Sequence, residues 1–196
     1  MSAKREITRN DIVDIDEYTR TRKERRVEAV AMKRARRMEV GPFATFYFEN
    51  YDTMLQQVLE MLYIEKGGEE QLVDELAAYN PLIPQGSELI ATVMFEIDDE
   101  VRRHAVLARL GGVEETAFIR VAGERVMGMP EEDVDRTNAA GKASSVQFIH
   151  FPFTAKQIAA FRDPANEIVV AFEHENYAHM AVMPEAVRGS LAADFD

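Results

Sequence analysis

Cysteine and tryptophan are both absent from the 196 residues. Without cysteine the chain has no disulfide, no thiolate nucleophile, no zinc knuckle and no means of its own to hold an iron–sulfur cluster. Any metal would have to be held by His, Asp and Glu, and histidine is scarce, with four in the chain. Long apolar runs are missing as well, so nothing reaches the roughly 18 residues needed to span a bilayer. The start, Met1-Ser2-Ala3-Lys4-Arg5-Glu6, followed by Asn10, Asp11, Asp14 and Asp16, lacks the apolar core of a signal peptide. A cytoplasmic protein with no membrane segment is expected.

What is present is ordinary globular composition, 46% hydrophobic and 30% charged, in a length that suits one generous domain. The charge is divided unevenly. Residues 1–37 hold twelve Lys and Arg against seven Asp and Glu, a leader of +5 on a body of −17 in a chain of −12. A body this acidic does not suit nonspecific nucleic-acid binding, which needs clustered positive charge. Lys and Arg surround most of the leader helix, with Glu24 and Glu28 interrupting them, so no clean phosphate-binding stripe is drawn. The expectation is a leader, residues 1–40, docked on its own body or on a second subunit, with Arg26, Lys33, Arg36 and Arg37 as interaction residues.

Thr8-Arg9-Asn10-Asp11 has the spacing of a capping box and opens a helix. Residues 19–38 continue as a longer helix with a narrow apolar stripe of Val27, Val30, Ala31, Ala35 and Met38, closed by Gly41-Pro42. Residues 43–50 form a strand that hands over to a helix at 52–66, and a second helix follows Gly67-Gly68. Asn80-Pro81 begins a rigid loop. Strands at 89–97 and 145–153, hairpins at 116–129 and 168–183, an acidic helix start at Asp98-Asp99-Glu100, a short helix opening at Pro130, a capped helix from Thr154 and a last helix from Pro184 complete the pattern. Tight turns alternate with helices, so residues 41–196 are expected to form an α+β domain with an antiparallel or mixed sheet and helices packed on it.

Two places could carry chemistry. On the helix at 52–66, Leu55, Val58, Leu59 and Leu62 share the core face, Gln57 and Glu60 lie opposite, and Glu65 falls within the apolar stripe as the one carboxylate placed for burial. With Glu49, Asn80 and Tyr177 these residues make the candidate polar site. The other place is His174-Glu175-Asn176-Tyr177-Ala178-His179. If the four central residues are the loop, His174 and His179 close it as a cross-strand pair, suited to metal ligation or a proton relay, or simply to the edge of the core. His150 and His104 read as structural. No motif requires a cofactor.

Phe48-Glu49-Asn50-Tyr51-Asp52-Thr53, then Gln57, Glu60-Met61, Glu75 to Ala78 and Tyr79-Asn80-Pro81-Leu82-Ile83-Pro84, with Lys33, Arg36, Arg37, His174 and Tyr177, resemble an uncharacterised bacterial family catalogued as a domain of unknown function. Its genes often lie beside those for rubrerythrin-like and heterodisulfide-reductase-like iron–sulfur proteins. The resemblance implies a role in a peroxide or sulfur redox system with a rubrerythrin-like or iron–sulfur partner and carries over no catalytic residue; the preferred reading is an accessory or assembly protein that forms a homo-oligomer. The alternatives are a small metal-dependent enzyme using His174, His179 and Glu60 or Glu65, and nucleic-acid binding through the leader.

Overall fold

The computed structural model describes residues 4–131, 137–138 and 141–195. Along the chain run α1 (Ile15–Arg34), β1 (Arg37–Val40), β2 (Ala44–Phe48), α2 (Tyr51–Glu65), α3 (Gly68–Tyr79), β3 (Glu88–Phe95), α4 (Glu100–Leu107), β4 (Ala117–Val121), β5 (Glu124–Met127), β6 (Met129–Pro130), β7 (Val146–Pro152), α5 (Ala155–Arg162), β8 (Ile168–His174), β9 (Tyr177–Val182) and α6 (Glu185–Leu191). The strands form two antiparallel sheets, ordered β1-β2-β3-β7-β6 and β5-β4-β8-β9. The fold is α+β.

The two sheets face one another, and period-two alternation supplies the core between them. Phe46, Phe48, Val93, Phe95, Ile149 and Phe151 come from the first sheet, and Ile119, Val121, Val170 and Phe172 from the second. The Phe46 and Phe172 rings meet across the gap at 5.2 Å. Gly128 joins the layers, because the chain leaves β5 in one sheet and enters β6 in the other there. A Cβ at that corner would stand 2.6 Å from the Ile149 side chain, so glycine is what lets the strands cross.

Tyr177 ties the sheets together from the other end. Its hydroxyl accepts from the Phe43 and Ala44 amides at 3.0 and 2.9 Å and donates to the Val40 carbonyl at 2.8 Å, which completes the β1–β2 turn. The outer face of the first sheet is covered by helices. Met54 and Val58 of α2 and Leu72 of α3 pack with Ile7, Ile83 and Ile90 as a second core, beside Phe148. Asn50 caps α2 by accepting from the Thr53 amide at 2.9 Å.

The leader departs from its expected form in three places. Thr8 and Asp11 do form their hydrogen bonds, but the helix they open is a single 3-10 turn, Arg9–Asp11. The long helix begins earlier and stops at Arg34, so the end of the 1–40 segment is strand β1, paired with β2. Met38 and Val40 are buried while Arg37 and Glu39 are exposed, an alternation that a helix could not give. Gly41-Pro42 therefore lies in a hairpin turn, with Gly41 at a φ of +73°. At Pro130 the chain is strand β6, and the remainder of the helix expected there falls outside the described residues.

Arg36 explains why the helix ends where it does. The residue is buried to 3% exposure. Its guanidinium donates to the Phe48 carbonyl at 3.0 Å, to the Glu49 carbonyl at 3.1 Å and to the Asp194 carboxylate. Burial pushes the Asp194 carboxyl above the ordinary aspartate range, with Arg36 pulling it back. Arg36→Met leaves that carboxyl buried without its cation and is expected to cost about 4 kcal/mol in urea unfolding, part of which Arg36→Met/Asp194→Leu recovers. A double variant no more stable than the single one would refute this role for the pair.

Candidate functional site

The N-terminal helix supplies the most distinctive surface. One face of α1 is fixed to α2: the Tyr18 hydroxyl donates to Glu60 at 2.6 Å, and Arg22 donates to both Glu60 oxygens at 2.9 and 2.8 Å. Gln56 donates to the Tyr18 oxygen at 2.7 Å, and Arg22 lies over the Tyr63 ring. Arg22 holds the Glu60 carboxyl below its usual range, while burial and Glu60 push the Tyr18 phenol up to about 12. Glu60 is therefore a docking residue between helices.

That attachment, together with buried Arg36, sets the rotation of α1. Tyr18, Arg22 and Ala29 recur on one side, which turns Lys23, Val27, Val30 and Arg34 to the other at helical spacing. Val27 and Val30, expected within a packing stripe, stand 67% and 68% exposed. Hydrogen bonding overrode hydrophobicity here, because turning the valines inward would have left Glu60 and Arg36 without partners. A groove of about 590 Å³ runs past Arg22, Lys23, Arg26, Val27, Val30 and Tyr63. Its lining mixes apolar with basic side chains.

A cleft of about 690 Å³ opens where the N-terminal segment, the start of α2 and the C-terminal residues meet. Asn50, Tyr51, Ile83 and Pro84 line it, so both ends of the 49–84 stretch border one space. Its cations serve to close the fold. Lys4 binds Asp11 at 2.6 Å, Arg5 donates to the Pro84 and Asp194 carbonyls, and Arg36 is engaged with the Asp194 carboxylate.

The remaining candidates are dispersed. Glu49 is buried and accepts from Thr92 at 2.7 Å on the first sheet. Gln57 lies on α2 beside the Tyr79 phenol at the end of α3. Glu65, placed in the apolar stripe by its spacing, is exposed in the last turn of α2 and accepts from Gln71 at 3.1 Å, since helix ends open to water. Asn80 accepts from the Ile7 amide and donates to the Ile7 carbonyl, at 2.8 and 3.0 Å, and so holds the N-terminal segment as a strand partner would. Tyr177 is the sheet-to-sheet tie. Arg26 and Lys33 belong to α1, whereas Arg37 turns to Glu39 and stacks on Tyr47.

The histidine pairing differs from expectation. The loop is two residues, Glu175 and Asn176, so His174 opposes Tyr177 and His179 opposes Phe172. Both rings are occupied: His174 Nε2 lies 3.1 Å from the Gly111 carbonyl, and His179 packs on Tyr177 at 4.6 Å between ring centres. Among the described residues no group of three or more His, Asp and Glu is arranged to hold a metal.

His150, read from the sequence as structural, sits between two carboxylates. Its Nδ1 is 3.2 Å from Glu88 and its Nε2 3.7 Å from Glu131, which joins β7 to β3 and to the residue after β6. The β3–β7 register, Ile90 opposite His150, brings Glu88 alongside, and the β6–β7 register, Met129 opposite His150, brings Glu131; no local spacing signals either.

A two-sheet α+β sandwich with helices packed against it defines a fold class and leaves the reaction open. The chain belongs to the family described as "Protein of unknown function (DUF3501)", which matches residues 6–195. It is similar to the crystal structure of a protein of unknown function from Burkholderia pseudomallei K96243, at 34% identity and a TM-score of 0.89, with 97% of this chain and 99% of that chain covered. Among curated proteins none matches. No helix of the described residues is long and apolar enough to cross a membrane.

The Glu88 carboxylate raises the His150 pKa above its ordinary value. A raised folded pKa stabilises the protein fully below the unfolded value, near 6.5, and the contribution fades as pH rises through the folded value. The melting-temperature advantage of wild type over His150→Gln is therefore expected to be largest below about pH 6 and to shrink toward pH 8. A difference independent of pH would dismiss the coupling.

Proposed function

We propose that the protein works through protein interaction, as an accessory protein whose docking surface is the outward face of α1. The supporting observation is the pair Val27 and Val30, more than two-thirds exposed, amid Lys23, Arg26, Lys33 and Arg34 on a helix whose opposite face is already committed to Glu60. Two valines at the centre of a basic face suit an acidic protein surface with an apolar centre. They do not suit a phosphate backbone, which offers nothing apolar to meet them. The family resemblance supplies the partner class, a rubrerythrin-like or heterodisulfide-reductase-like iron–sulfur protein, and hence a place in peroxide or sulfur redox chemistry without a redox centre of its own.

Affinity purification from the native host is expected to recover such an iron protein, identified by mass spectrometry and iron analysis. Val27→Asp/Val30→Asp should lower that recovery at least tenfold with an unchanged melting temperature, because both side chains already face water. Recovery of neither class, or equal recovery by the variant, would overturn the proposal.

A further inference from the structure

The groove past Val27 and Val30 has a larger neighbour. A space of about 910 Å³ opens where the start of α1 meets the end of α2 and the start of α3, with Ile12, Ile15, Leu62 and Leu72 in its apolar lining. Thr19 and Tyr63 line both spaces, so the two meet there as one trough. On α1 the trough follows Ile15, Thr19, Arg22, Arg26 and Val30, whose spacings of three and four keep to one side of a helix. From Ile15 to Val30 it runs about 22 Å, at about 1.5 Å per residue.

Shape and charge together specify an occupant. The walls are helices with no strand edge, so an extended segment laid in the trough would find no backbone ladder to join. A helix satisfies its own backbone, and about four turns of one match the length. Apolar contact is available at the Ile15 end, where Ile15 is 42% exposed and shares the lining with buried Leu59 and Leu72. The charges at that end are balanced: Arg9 pairs with Glu69, Asp14 caps α1, and Asp16 and Lys66 are of opposite sign. The Val30 end is different. Arg22 is engaged by Glu60, but among the described residues Lys23 and Arg26 form no ion pair and stand exposed. Acidic side chains are therefore attracted to one end of the trough and apolar ones to its whole length.

We propose that this trough receives an amphipathic helix of a partner protein, its apolar face laid on Ile15 and Val30 and its carboxylates turned to Lys23 and Arg26. The inference rests on the reading of α1 as a docking face and names what docks there. The probe is a synthetic helical peptide of about fifteen residues, leucine on one face and glutamate on the other, titrated with the full chain by fluorescence anisotropy. Binding with a Kd of about 100 µM or tighter is expected. Scrambling the peptide, or replacing its glutamates by lysine, should weaken it at least tenfold. Ile15→Ser and Lys23→Glu/Arg26→Glu should each do the same with an unchanged melting temperature, because these side chains already reach water. No binding at about 1 mM peptide, equal affinity for the scrambled peptide, or indifference to Ile15→Ser would overturn the proposal. So would a dimer of the free chain that the peptide dissociates, since a second copy would then occupy the trough. Failure of the docking face itself reads differently. Loss of iron-protein recovery in Val27→Asp/Val30→Asp without peptide binding discards the helical occupant and keeps the face, whereas peptide binding without any recovery keeps the occupant and discards the iron partner.

Discussion

A guanidinium buried to 3% exposure is costly, and the structure is arranged around making Arg36 tolerable. Its hydrogen bonds reach the end of β2 and the C-terminal residues, so three distant parts of the chain converge on one side chain. The attraction to Asp194 offsets desolvation only while both groups stay dry and correctly placed. Because Arg36 lies just beyond the last turn of α1, its fixed position also limits how that helix is oriented. The end of the first sheet, the end of the leader helix and the C-terminal turn thus meet at one buried side chain.

The leader helix bears the imprint of that constraint. Tyr18 and Arg22 meet Glu60 on one side of α1, and on the opposite side Lys23, Arg26, Lys33 and Arg34, with Glu24 among them, flank two valines. Charge that was spread around the helix in the sequence is sorted in space, because some cations are consumed in the fold and the rest face outward. The outer face of the second sheet differs from this helix face, with the Arg125–Glu173 pair lying over Phe118 among the exposed Met127, Met180 and Val182.

Much of the architecture was readable from local patterns. Alternating apolar residues marked β4, β7 and β8, Thr154 and Gln157 marked the start of α5, and the core face of α2 fell where Val58 and Leu59 placed it. The rotation of α1 was not readable, because Val27 and Val30 announce a buried stripe and only Glu60, a helix away, contradicts them. The polar run at 49–84 suggested one site, but its members turned out to hold different neighbours: Thr92, Tyr18, Gln71 and Ile7. His174 and His179 needed a loop length that the turn did not adopt, and the setting of His150 depends on pairing with residues 62 positions away. Spacing along the chain carries secondary structure well and carries partners across strands poorly.

The separation of Arg36 and Asp194 has a bearing on synthesis. The carboxylate is made 158 residues after its cation, while Glu60 follows Arg22 by 38. On the ribosome α1 can find α2 early, but the guanidinium has to stay hydrated until the C-terminal residues emerge. Closure of the first sheet's end is thereby deferred until residue 194 has been made, and a nascent molecule stalled short of Asp194 offers chaperones and proteases an open seam beside β2.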